Sequence, residues 1–67
     1  MNLKQKLYDL LGQHKGKVQE AQKAVEAGEL DKAEALTNEA KSLAGEIEKV
    51  KALIAEEERY GGSGDGG

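Results

Sequence analysis

A chain of 67 residues with net charge −3, a single histidine, no cysteine and no proline is bounded tightly by its composition. It holds at most one small domain, without disulfides or thiolate and multi-histidine metal sites, and its acidic balance and 3% aromatic content lack the basic, aromatic-studded face of a nucleic-acid binder. Charged residues at 34%, with Ala, Glu, Lys and Leu recurring at helical period, are the signature of a long-helix protein; no run nears the ~18 apolar residues of a membrane span and no apolar signal core opens the chain, so a soluble protein of the cytoplasm with no membrane partner is expected.

The first helix is predicted over residues 3–27, opening at Asn2, a residue suited to an N-cap. Leu3, Leu7, Leu10, Leu11, Val18, Ala21 and Val25 fall within about 100° of one another, with His14 among them. The seam is assigned to Leu3, Leu7, Leu11, His14, Val18 and Val25, leaving Leu10 on its flank. Lys4, Lys6, Gln13, Lys15, Gln19, Gln22, Lys23 and Glu26 make the solvated side. Gly12 and Gly16 each cost about 1 kcal/mol relative to alanine inside a helix, so a kink or break over residues 12–16 is open.

Between the helices, Gly28 fits the left-handed position that ends a helix. Asp31 reads as the next N-cap with Glu34 as its capping-box partner, and Leu30 as a hydrophobic staple onto Ala35. A turn at 28–30 joining two helices makes a tight hairpin.

The second helix is predicted over residues 31–58. Ala33, Leu36, Ala40, Leu43, Ile47, Val50 and Ile54 step by 3 and 4 in strict alternation, the spacing of a coiled-coil seam. Pivoting at residue 29 pairs position i with 58 minus i, so that Leu11 meets Ile47 and Val18 meets Ala40. The same arithmetic brings Gly12, Gly16 and Gly45 to one level, either a place where the two backbones approach or three unrelated weak points. Leu53 and Tyr60, seven apart, lie outside the seam and with Leu10 form an extra apolar patch at the open end, read as a self-association contact in preference to a wider core face.

Residues 61–67 are a flexible Gly-rich linker, either a native tether or a cloning remnant. Residues 1–27 carry five lysines against Asp9, Glu20 and Glu26, for +2; residues 31–60 carry five basic and eight acidic side chains, for −3, a separation that favours laying one helix on the other. No catalytic residue, cofactor site or metal site is expected. Glu56, Glu57 and Glu58 point about 100° apart around a helix and do not converge on a cation, and His14 has neither a nucleophile nor a second histidine on its face. The fold class is therefore all-α, an antiparallel two-helix coiled-coil hairpin that self-associates, and the chain is not read as an enzyme.

The opening Met1-Asn2-Leu3-Lys4-Gln5-Lys6-Leu7, the turn Glu26-Ala27-Gly28-Glu29-Leu30, the Glu- and Ala-rich seam after it and the Gly-rich tail together resemble the delta domain, the N-terminal segment of tailed-phage major capsid proteins. The likeness spans residues 1 to about 60. It implies an intrinsic scaffolding domain inside the procapsid, in the host bacterial cytoplasm. Its partners would be further copies of itself, the capsid shell domain that follows it, and the maturation protease that removes it. Two other readings stand beside this one. Ala27 to Leu36 resembles the inter-helix turn of a tetratricopeptide-type binding module, although the helices are long for that repeat and no second copy follows. An artificial helical hairpin would also end in such a tail, although three interior glycines and an in-seam His14 are not a designer's choices.

Overall fold

The computed structural model describes residues 2–59, which form two α-helices, α1 over Leu3–Glu26 and α2 over Leu30–Glu57, packed along their length as an antiparallel hairpin. The predicted tail, residues 61–67, and Tyr60 lie outside the described residues.

At the start of α1, Asn2 has extended backbone and its Oδ1 accepts the Gln5 N–H at 3.1 Å, while its carbonyl accepts the first helical bond from Lys6 at 3.0 Å. The cap satisfies a donor that a helix end leaves without a partner. From there α1 runs unbroken through Gly12 and Gly16. Packing against α2 outweighs the propensity cost of two glycines, so the break held open by the sequence does not occur.

The turn is a complete Schellman motif. Ala27 is the C-cap and Gly28 takes the left-handed conformation at φ 80°; the Gly28 N–H donates to the Val25 carbonyl at 3.0 Å and the Glu29 N–H to the Ala24 carbonyl at 2.8 Å. This closure corrects the expected start of α2. Because Glu29 is drawn back onto α1, its own carbonyl already accepts the Ala33 N–H at 3.0 Å, and Glu29 rather than Asp31 is the N-cap. The turn is therefore 27–29, Leu30 is the first helical residue, and Asp31 is inside the first turn, where its charge suits the positive end of the helix dipole but its side chain caps nothing. The Asp31–Glu34 capping box and the Leu30 staple are absent, and Leu30 is 66% exposed.

Two apolar clusters hold the helices together, Ala21, Ala24, Ala33 and Leu36 beside the turn, and Leu10, Ile47 and Val50 with Leu3, Leu7, Leu43 and Ile54 at the open end. All seven expected seam positions of α2 are buried or half-buried. The seam of α1 is corrected. Leu10, placed on the flank by the sequence, is its most buried side chain at 2% exposure, whereas Leu11 and Val25, placed in the seam, are exposed. The inward line is Leu3, Leu7, Leu10, His14, Lys17, Ala21 and Ala24, which steps by 4 and 3 as strictly as α2 does. Matching the two lines in order places position i opposite 57 minus i, in keeping with clusters that hold Ala24 with Ala33 and Leu10 with Ile47, one residue from the expected register.

Of the two readings left open for the helical glycines, three separate weak points is the one that holds. A side-chain carbon built on Gly12, Gly16 or Gly45 meets no atom within 4 Å, so these residues do not let the backbones approach. They stand off the seam and are weak points of their own helices.

Candidate interaction surface

Between the two clusters the seam turns polar. His14 and Lys17 occupy inward positions of α1 and both are half-buried. Lys17 reaches across to α2, where its Nζ lies 2.8 Å from Glu39 Oε1. That hydrogen bond and the Glu39 charge, with a smaller contribution from Glu20, hold the Lys17 ammonium above its ordinary pKa of 10.5. A second inter-helix pair, Lys4 with Glu58 at 3.8 Å, closes the open end. Lys32–Glu29, Lys51–Glu48 and Arg59–Glu56 are exposed pairs three residues apart within or beside α2, each worth about 0 to 1 kcal/mol.

These two cross-helix pairs identify the flanks of the hairpin. Lys17, Glu20 and Glu39 mark one side, on which Lys6, Gln13 and Glu20 of α1 and Lys32, Glu39, Glu46 and Leu53 of α2 recur at seven-residue steps. It is a charged side, and beside the turn it carries a groove of about 300 Å³ whose Glu20, Lys23, Glu29 and Lys32 balance one another. Lys4 and Glu58 mark the other side. Stepping by seven from Lys4 gives Leu11, Val18 and Val25; stepping back by seven from Glu58 gives Lys51, Ala44, Thr37 and Leu30. Between the ionic open end and the turn this flank is apolar apart from the Thr37 hydroxyl, and most of it faces solvent. Val25 is 55% exposed and Leu30 66%, while Val18 and Ala44 are half-buried.

Of the sequence-assigned seam, the structure gathers Leu3, Leu7, His14, Leu36, Ala40, Leu43, Ile47, Val50 and Ile54 between the helices, with Val18 at the margin, and moves Leu11 and Val25 onto the apolar flank. The self-association patch of Leu10, Leu53 and Tyr60 is not brought together: Leu10 is in the core, Leu53 stands exposed on the charged side, and Tyr60 lies outside the described residues. Sequence reasoning missed Ala24 and Lys17 as inward residues. The signal was there in the 4-and-3 step begun by Leu3, Leu7 and Leu10.

Among the described residues no group of three or more His, Asp or Glu is arranged to hold a metal ion, and no helix is long and apolar enough to cross a membrane. No buried side-chain polar atom there lacks a hydrogen-bond partner. What the arrangement offers is surface. The chain matches no family model, no curated protein and no solved structure.

Proposed function

We propose that the chain is an assembly hairpin, the intrinsic scaffolding domain of a phage major capsid protein precursor, acting inside the procapsid in the host cytoplasm and removed by a maturation protease once the shell has formed. One observation carries the reading: near the turn the buried cluster is three alanines with Leu36 as its one large residue, while two large residues stand outside. Ala21, Ala24 and Ala33 fill the seam there while Val25 and Leu30 face solvent. A seam so thin supports a lone hairpin weakly, and the apolar area left over is stabilising only against another surface. Weak contacts of that kind suit a scaffold, because a single copy lets go and corrects errors while many copies tethered to one shell bind together strongly.

The test is the association state of the 67-residue chain and the assembly of a precursor that carries it ahead of a shell domain. A reversible, concentration-dependent equilibrium in sedimentation is expected, together with a precursor that folds but fails to form particles when residues 1–60 are deleted. A chain that stays monomeric at millimolar concentration and a precursor that assembles normally without it would together overturn the reading.

A further inference from the structure

We propose that the flank carrying Leu11, Val18, Val25, Leu30 and Ala44 is a dimerisation surface for a second copy of the chain, with the two hairpins stacked so that their turns lie at opposite ends. This rests on the assembly reading above and names the surface and geometry through which it operates.

Two stackings of flank on flank obey a two-fold axis. With both turns at the same end, α1 of one copy lies on α2 of the other. Lys15, which is in no ion pair in the lone hairpin, then faces Lys41, while Lys4 and Lys51 meet their counterparts at the open end each beside its own carboxylate, Glu58 and Glu48. With the turns at opposite ends, the axis passes near Val18 and Thr37. Leu11 of each copy meets Val25 of the other, Leu30 meets Ala44, and the Lys4 and Lys51 end of each hairpin projects past the turn of its partner into water. Along the rim of α2, Lys41 of each copy comes beside Glu34 of the other, both exposed and neither in an ion pair in the lone hairpin. The second stacking pairs large residues with small or medium ones and opposite charges with each other. The first sets the Lys15 and Lys41 ammonium groups, neither of them in an ion pair, against each other, which is unfavourable. The contact closes as a pair of hairpins, a four-helix arrangement with every neighbouring helix antiparallel, and gives the alanine-filled half of the seam a second layer.

The experiment is sedimentation equilibrium of the full chain, of Val25→Glu with Leu30→Glu, and of Leu53→Glu on the opposite flank, paired with a nitroxide distance measurement on a Glu29→Cys variant, the chain having no other cysteine. The double variant should weaken dimerisation by at least roughly a hundredfold with unchanged helicity, because it places carboxylates in an apolar contact, and Leu53→Glu should leave it unchanged. At 1.5 Å per residue, Glu29 is about 15 Å from the axis, so the two labels should be about 30 Å or more apart. A dimer that survives the double variant, or labels within about 20 Å of each other where the same-ended stack would put them, overturns this surface or its geometry and leaves the assembly reading standing. A chain monomeric at every concentration overturns this surface, and the assembly reading with it once a precursor lacking residues 1–60 also assembles normally.

Discussion

Gly28 and the three helical glycines have opposite roles, and one substitution type separates them. At φ 80° an added methyl group is strained whatever space surrounds it, so Gly28→Ala is expected to destabilise the hairpin by about 1 kcal/mol or more. Gly12, Gly16 and Gly45 have helical backbone and open space at the same position, so changing each to alanine should stabilise by about 0.5 to 1 kcal/mol. Urea titrations followed by helicity check both signs. Lys17 makes a second residue-scale prediction. Its raised pKa means that the folded state holds the proton more tightly than the unfolded chain, so the Glu39 contact contributes fully below 10.5 and fades as pH climbs through the higher folded value. Comparing the chain with Lys17→Met across that alkaline window, the wild type should lose stability relative to the variant as pH rises. A difference that stays flat would mean the ion pair does not persist in solution.

At the scale of elements, α2 was legible in the sequence and α1 was one line off. In α2 the seam residues are mostly large and aliphatic, so periodicity and hydrophobicity agree. In α1 they diverge. Its inward positions include His14, Lys17, Ala21 and Ala24, which contribute little apolar area, and a hydrophobicity-weighted stripe is drawn toward Leu11 and Val25 on the flank. A strict partner in α2 decides the matter, because a seam of period 3.5 is buried only against another of the same period. Asp31 shows the other kind of miss. The local cap signal was sound by itself, but the Schellman closure through Glu29 starts α2 earlier than a free helix would begin. The exchange of Leu10 and Leu11 is testable directly. Leu10→Ala, at a fully buried site, should cost about 2 to 4 kcal/mol, while Leu11→Ala should cost less than about 1 kcal/mol in the monomer. Equal losses in denaturation would restore the broader seam.

The molecule as a whole is a hairpin with one polar flank, one apolar flank and a seam interrupted at its middle by Lys17 and His14. Nothing in the sequence alone separated the flanks, because assigning them needed the two cross-helix ion pairs, Lys17 with Glu39 and Lys4 with Glu58. In the proposed dimer folding and association are linked, since a state that is both folded and paired is stabilised by mass action as the chain is concentrated. The measurement that tests this most directly is the thermal unfolding midpoint as a function of chain concentration, from micromolar to millimolar. The midpoint should rise steadily with concentration, and that rise should vanish when Val25 and Leu30 are both changed to glutamate; a midpoint independent of concentration in the unaltered chain would contradict the account.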